Sequence, residues 1–207
     1  MTMPGLTFTR KDIRDYGSRH AYAQLMFCGA GNDYAAARCL SLNNLMVSGF
    51  PLFSQSIEKL LKAIIFLETD RRSLLKGPDR HRPFVLKQEL QQVANYDLDR
   101  YDAVLQTLYG HFQQRYYDND YKSKRMSSEE LDGFDELWMH LFERIPFPVE
   151  VKYRLKFLAM LFEQEAMRGV PTYRHWVIYQ NKAIASKLKQ MEATYFAVKE
   201  HYINSKD

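Results

Sequence analysis

The chain has 207 residues, of which 46% are hydrophobic and 26% are charged, and its formal net charge is +4. This length and balance are typical of a globular protein with a substantial core and argue against a disordered chain. The sequence pI near 8.9 permits an anionic partner, but it lies below the range typical of dedicated nucleic-acid-binding domains. Cys28 and Cys39 belong to no CxxC or Cys/His cluster, so the sequence predicts reduced thiols and no metal site or cofactor.

The sequence contains no targeting or membrane-spanning pattern. Its first segment, MTMPGLTFTRKDIRDYG, becomes charged almost at once and has no apolar stretch, so it does not resemble a signal peptide. The longest uncharged run, between Arg38 and Glu58, is interrupted by Asn43, Gly49 and Pro51 and is a poor membrane span. We therefore expect a soluble cytoplasmic protein with no membrane partner.

Helical periodicity dominates the chain, and no alternating pattern typical of β-strands is present. A first predicted helix begins near Arg10 and ends where Gly29-Ala-Gly-Asn-Asp33 interrupts the pattern. The next helix follows directly and ends at Gly49. Pro51 then starts a third helix, because proline is tolerated in the first helical turn and not in the interior.

The third helix contains FSQSIEKLLKAIIFLE, residues Phe53–Glu68, and is the most regular segment of the chain. Glu58 and Lys62 are four residues apart, in the order that favours a helical ion pair. An exposed pair of this kind is worth only about 0.3–0.5 kcal/mol, so we expect apolar packing to hold the helix in place. The apolar residues mostly follow the spacing of one wide stripe: Phe53, Ile57, Leu60, Leu61, Ile64, Ile65 and Leu67.

The remaining chain predicts further helices after a polar, basic connection at residues 68–83. Two serines followed by Glu129 and Glu130 indicate a capped N-terminus for one of them. The sequence therefore predicts one all-α domain over residues 1–207, without internal repeats. The further predicted helices lie near Phe84–Ala94, Leu98–Tyr117, Ser128–Arg144, Val149–Met167 and Pro171–Tyr202.

The segment Asp33–Glu68 resembles the first helical pair of HEPN domains (higher eukaryotes and prokaryotes nucleotide-binding). That family shows Y-x-x-A-x-x-L on one helix and a Q-(S/A)-(I/A)-E-K-x-L-K-A core on the next. The core is present here as Gln55-Ser-Ile-Glu-Lys-Leu-Leu-Lys-Ala63, and the stretch LYGHFQQRYY ending at Tyr117 resembles a later family helix. The resemblance covers residues 33–121, and its signature residues are Gln55, Glu58, Lys59 and Lys62.

The resemblance implies a HEPN-like antiparallel helical bundle that forms a homodimer. Its core would lie at about residues 33–121, with an additional N-terminal helix and a helical extension at 128–203. Many family members cleave RNA without a metal through an R-x(4–6)-H motif. In such a motif, histidine can transfer a proton and arginine can stabilise charge on a phosphate.

Arg168 and His175 have the spacing of this motif, with six residues between them. The resemblance therefore makes them the candidate catalytic pair. The sequence departs from the family pattern in two ways, since Gly169 follows the arginine and YYDNDYKSKR, around Tyr117, contains no histidine. The alternative is a helix-terminal arginine and a partly buried histidine beside Trp176.

Two basic stretches provide candidate contacts with a nucleotide or nucleic acid. The first lies in a predicted loop, and the second follows several tyrosines, a combination that suits single-stranded nucleic acid. Solvated surface charge is the alternative for both. The candidate residues are Arg71, Arg72, Lys76, Arg80 and Arg82 in the first stretch, and Lys122, Lys124 and Arg125 in the second.

Three hypotheses about function follow. The first is a non-catalytic HEPN-like module that binds RNA or a nucleotide, within a defence or stress-response system. The second is a metal-independent endoribonuclease that uses Arg168 and His175. The third is a structural or protein-interaction bundle, which would be favoured if the basic residues were scattered and no cleft contained this pair.

Overall fold

A computed structural model of the chain describes residues 18–69, 81–94, 96–114, 127–144, 161–162 and 173–204. Over these ranges the fold is a helical bundle in which no residue belongs to a β-strand, so the predicted all-α class is confirmed. A 3₁₀ turn at Asp99–Tyr101 precedes the fourth helix. The helices are α1 (Ser18–Leu42), α2 (Met46–Thr69), α3 (Pro83–Ala94), α4 (Asp102–Gln114), α5 (Ser128–Glu143), α6 (Tyr173–Ile178), α7 (Lys182–Ala185) and α8 (Leu188–Asn204).

Helix α2 is the central helix of the bundle and contacts α1, α3, α4 and α5. Residues 56–58 and 60–66 are all buried, so the middle of this helix is covered on every side. The sequence predicted a single apolar stripe, and the wider burial arises because four helices surround α2. Charged residues in this part of the helix are therefore inside the bundle.

Helix α1 continues without interruption through Gly29-Ala-Gly-Asn-Asp33, so the predicted break there is wrong. Glycine inside a helix costs about 1 kcal/mol relative to alanine, but it permits close packing. A Cβ at Gly29 would lie 3.3 Å from Lys59 Nζ. The lysine extends across α1 here to pair with Asp33, so packing against α2 overrides the local preference of the glycines.

The turn between α1 and α2 lies at residues 43–45, earlier than the predicted helix end at Gly49. Asn44 has φ 61°, a left-handed conformation that asparagine tolerates at helix C-termini. The Leu45 N–H donates to the Leu40 carbonyl at 2.8 Å, which closes the end of α1. Helix α2 begins before Pro51, and the proline lies in its second turn, where it has no N–H to donate to the carbonyl of Val47, an exposed residue.

Gly49 marks the closest approach of α1 and α2. A Cβ there would lie 2.7 Å from Ser41 Oγ and 3.2 Å from the Ala37 carbonyl oxygen. We expect Gly49→Ala to lower the free energy of unfolding by about 1–3 kcal/mol, because it overpacks this contact. As the matched control, Gly110→Ala in α4 meets no atom within 4 Å and should stabilise the helix by up to about 1 kcal/mol. Urea unfolding of both variants tests this, and stabilisation by both would contradict it.

The predicted helices near Phe84–Ala94, Leu98–Tyr117 and Ser128–Arg144 are present as α3, α4 and α5 within the described residues. The predicted N-terminal cap of α5 is also present, as a capping box between Ser127 and Glu130. The predicted start of the first helix, near Arg10, lies outside the described residues. The predicted helix at 149–167 lies outside them too, except for residues 161–162, which are helical.

The predicted helix Pro171–Tyr202 is wrong in its continuity, because the described part contains three helices, α6, α7 and α8. Gln180 has φ 52° between the first two. Asn181 then caps α7, with its Oδ1 accepting from the Ile184 N–H at 2.9 Å. An asparagine that caps a new helix favours a break over a continuous helix.

Candidate functional site

A buried polar network joins α1, α5 and the turn between α6 and α7. It consists of Tyr34, Arg38, Asp135 and Asn181, each at most 2% exposed. Arg38 Nη1 pairs with Asp135 Oδ2, and the Tyr34 hydroxyl donates to Asp135 Oδ1 at 2.6 Å. Asn181 Nδ2 donates to the Tyr34 oxygen at 2.7 Å. These contacts link residues that are widely separated in the sequence.

The Arg38 guanidinium also binds the C-terminal end of α6. Its Nε donates to the Trp176 carbonyl at 2.9 Å, and its Nη2 donates to the Tyr179 carbonyl. The last carbonyls of a helix lack partners within the helix, and positive charge is favourable there. Arg38 therefore acts as a C-terminal cap for α6 that is provided by a different helix.

Burial controls the protonation of this network. It raises the pKa of Asp135 from 3.8 to about 6, although Arg38 and Tyr34 act in the opposite direction. The carboxylate is thus still ionised at neutral pH and balances Arg38. Burial also raises the pKa of Tyr34 well above 10.0, so its hydroxyl remains a donor. Because these groups are closed to solvent, we assign the network to the scaffold and not to direct ligand contact.

Helix α6 and the residue that follows it, Tyr179, present exposed aromatic and cationic side chains beside this buried network. The rings of His175 and Tyr179 are stacked, with centroids 5.2 Å apart and an interplanar angle of 18°. Tyr179 is 49% exposed, and the side chains of Arg174 and His175 are exposed as well. His175 also meets the Trp176 ring edge-on at 5.0 Å, so it lies beside this tryptophan but remains at the surface. We call Arg174, His175 and Tyr179 the α6 surface.

A series of cation and ring contacts connects α6 with α8. The Arg174 guanidinium lies 5.8 Å from the centre of the Phe162 ring, and Phe162 stacks on Tyr195 at 5.9 Å. Lys199 Nζ lies 5.9 Å from the Tyr195 ring, and the neighbouring Phe196 is 49% exposed. Tyr195 is only 3% exposed and Phe162 is half-buried, so these two rings join α6 to α8, and Phe196 is the ring of this series that a ligand could reach.

Two charges of the HEPN-like signature, Glu58 and Lys62, lie inside the bundle. Glu58 and Lys62 are only 7% and 6% exposed, and they pair with each other. Glu58 Oε1 also lies 2.8 Å from His81 Nδ1. The prediction of an exposed Glu58–Lys62 pair is therefore wrong, because the neighbouring helices enclose α2, and the energy of an exposed pair does not apply to it. Gln55 and Lys59 are half-buried.

Two of the predicted catalytic and binding residues, Arg82 and His175, are described, and both are exposed. The predicted Arg168–His175 pair thus has one described member. The other candidates lie outside the described residues: Arg71, Arg72, Lys76, Arg80, Lys122, Lys124, Arg125 and Arg168.

Sequence reasoning missed part of the α6 surface. It also missed the anchor of α6, by which we mean Arg38, which binds the C-terminal carbonyls of α6, together with its counter-charge Asp135. Arg38 stands in an otherwise apolar stretch of α1, beside buried Ala37, whereas Asp135 lies in an acidic part of α5, beside Glu136. A charge on the buried face of a helix indicates a partner, because a lone buried charge is costly. That signal could have identified Arg38 as special, but it could not have paired it with Asp135.

His140 in α5 should make the protein sensitive to acid. Its pKa is lowered from 6.5, first by burial and then by the positive charges of Arg100 and Arg144. Arg100 Nη2 lies 3.2 Å from His140 Nδ1, so the neutral ring can accept a hydrogen bond there, whereas a proton on Nδ1 would face the guanidinium. The contribution of His140 to stability is complete above pH 6.5 and is lost as the pH falls through the lowered pKa.

We therefore compare the free energy of unfolding at neutral and at acidic pH. This free energy should fall less in His140→Gln than in the wild type as the pH is lowered. Asp135 has the opposite effect, because its raised pKa adds stability on acidification, but both proteins contain it. The difference between their pH curves, measured by urea unfolding, thus isolates His140. Parallel curves would contradict the prediction.

Among the described residues, no group of three or more His, Cys, Asp or Glu side chains is arranged to hold a metal ion. None of the helices in this part of the chain combines the length and apolar character needed to cross a membrane. Cys28 and Cys39 lie on α1, are both half-buried, and are not joined in a disulfide. Comparisons of the chain with profiles of known protein families, with curated proteins and with solved structures found no match.

Proposed function

We propose that the protein is an RNA- or nucleotide-binding helical module, and that the α6 surface holds unpaired bases. The observation that carries this proposal is the stacked and exposed ring pair of His175 and Tyr179 beside exposed Arg174. An aromatic ring offers a stacking face to any base, and a guanidinium can bind a phosphate through two hydrogen bonds. The net charge of +4 favours the approach of an anionic strand.

The resemblance of residues 33–68 to HEPN domains supports the same proposal. It extends the proposal to a HEPN-like bundle that forms a homodimer and acts in a defence or stress response. The buried Glu58 and Lys62 belong to the scaffold in this proposal, because their side chains lie inside the bundle. Ligand contact is assigned to the α6 surface instead.

The test is the binding of a short labelled single-stranded RNA, measured by fluorescence anisotropy over a series of salt concentrations. We expect binding that weakens steeply with salt, because the cations release counterions from the phosphates. Tyr179→Ala should weaken it about tenfold, since stacking of a base on an aromatic ring is worth about 1–3 kcal/mol. Arg174→Ala should reduce the salt dependence.

Tyr109→Ala provides the matched control, because it makes the same change at a partly exposed tyrosine on α4. It should bind as the wild type does. The proposal fails if the wild type does not bind RNA at low salt. Equal affinities of the Tyr179→Ala and Tyr109→Ala variants would exclude the α6 surface as the site.

The second candidate function is a metal-independent endoribonuclease with His175 as the acid or base. The exposed side chain of His175 favours it, because a substrate can reach the imidazole. Arg168, its partner in the motif, would stabilise charge on the phosphate. This function predicts RNA cleavage that resists EDTA and is lost in His175→Ala without loss of helix content. Undiminished cleavage by that variant would exclude this role.

A further inference from the structure

We propose that Arg38 is a positioning residue for the α6 surface, and that Asp135, Tyr34 and Asn181 hold its guanidinium in place. The inference rests on the proposed function, because the surface that Arg38 positions is the one assigned to RNA. None of the four side chains is expected to touch the ligand, since each is at most 2% exposed. They act through the backbone of α6.

Helix α6 needs such support because it has only six residues. Isolated helices shorter than about 12 residues are marginal in water, so contacts from other helices must fix the conformation of α6. The terminal carbonyls show where these contacts lie. Arg38 binds the carbonyls of Trp176 and Tyr179, and Asn181 Nδ2 donates to the Val177 carbonyl at 2.9 Å.

The same contacts determine the geometry of the ring pair. The Tyr179 N–H donates to the His175 carbonyl at 2.8 Å. The Tyr179 carbonyl accepts a hydrogen bond from Arg38. Gln180 follows in a left-handed conformation, with φ 52°. A change in the backbone at this turn would swing the Tyr179 ring away from His175. Arg38 restrains the turn through the carbonyls of Trp176 and Tyr179, and Asn181 restrains it through the carbonyl of Val177.

The network converges on the Tyr34 hydroxyl. This group donates to Asp135 Oδ1 at 2.6 Å and accepts from Asn181 Nδ2 at 2.7 Å. One hydroxyl therefore connects the carboxylate that balances Arg38 with the asparagine that binds the turn. Its removal should loosen both restraints on α6 while the Arg38–Asp135 ion pair remains.

Tyr34→Phe is the variant that tests this inference. It removes only the hydroxyl and keeps the ring that stacks on Trp138 at 4.2 Å. The matched control is Tyr96→Phe, which removes a hydroxyl that donates to the Arg144 carbonyl at 2.6 Å. Tyr34→Phe loses two hydrogen bonds and Tyr96→Phe loses one, but only Tyr34→Phe affects the network that holds α6. Both should remain folded, as measured by circular dichroism.

Two measurements are made on the full chain under conditions in which all proteins are folded. We expect amide hydrogen exchange in α6 to be about tenfold faster in Tyr34→Phe than in Tyr96→Phe, which corresponds to about 1.4 kcal/mol. The affinity of Tyr34→Phe for the labelled single-stranded RNA should fall about three- to tenfold, as expected for the loss of a buried hydrogen bond. The control should keep the wild-type affinity.

The inference is overturned if α6 exchanges at the same rate in the two variants. It is also overturned if the wild type binds RNA and Tyr34→Phe binds it equally well, because the network around Arg38 would then stabilise α6 without positioning the site. The absence of RNA binding by the wild type is a different result, since it excludes the proposed function and removes the inference with it.

Discussion

Asp135→Leu is expected to lower the free energy of unfolding by about 3–5 kcal/mol, because it leaves a buried guanidinium without its counter-charge. The side chains of Arg38 and Asp135 are 0% and 1% exposed, so water cannot take the place of the missing carboxylate. The Tyr34 hydroxyl loses its acceptor in the same variant. Urea unfolding at neutral pH is the measurement, since Asp135, with a pKa of about 6, is ionised there.

A second variant tests whether the loss of stability comes from the unpaired charge of Arg38 or from the change in side-chain volume at position 135. Combining Arg38→Met with Asp135→Leu removes both charges, and replacing a buried pair with apolar side chains is often neutral or stabilising. We expect the double variant to be more stable than Asp135→Leu alone. The recovery should be partial, because the carbonyls of Trp176 and Tyr179 lose the donors that Arg38 provided.

An exposed ion pair provides the control for this prediction. Glu143 and Lys187 pair between α5 and the start of α8, and their side chains are 40% and 37% exposed. Glu143→Leu should cost no more than about 1 kcal/mol, because water solvates the remaining lysine. Equal losses in Glu143→Leu and Asp135→Leu would contradict the assignment of the buried pair as a main support of the fold.

Trp138→Ala is expected to cost about 3–5 kcal/mol, the range for removing a large buried ring. Trp138 is 1% exposed and stacks on Tyr34 at 4.2 Å and on Phe142 at 4.9 Å. Its Nε1–H donates to Ser56 Oγ at 2.9 Å, which links α5 to α2. The variant therefore loses ring packing and a buried hydrogen bond together.

Trp138→Phe removes the donor but only part of the ring, so it loses the hydrogen bond with a smaller loss of packing than Trp138→Ala. Ser56 Oγ would still donate to the Ala30 carbonyl at 2.7 Å, so the serine remains partly satisfied. We expect a loss of about 1–3 kcal/mol, smaller than that of the alanine variant. The measurement is urea unfolding followed by circular dichroism. A loss as large as that of Trp138→Ala would mean that the hydrogen bond, and not the packing, dominates.

The candidate site shows the limit of local sequence patterns. His175 stood out because of its spacing from Arg168, but the ring that stacks on it in the structure, Tyr179, belongs to no motif. The anchor of α6 was equally hidden, because Arg38 and Asp135 are 97 residues apart in the sequence. A single sequence reveals a charge in an apolar stretch, but it contains no information on which distant charge will meet it.

The sequence by itself determined the features that arise from contacts within a few residues. Apolar periodicity predicted the all-α class and the helices α3, α4 and α5, and the Ser127–Glu130 capping box fixed the start of α5, because these interactions form within one or two helical turns. The tertiary structure alone decided whether α1 breaks at its glycines, where the Glu58–Lys62 pair lies, and what caps α6. In each case contacts between different helices decide the outcome, and at the α1 glycines they outweigh a local preference of about 1 kcal/mol.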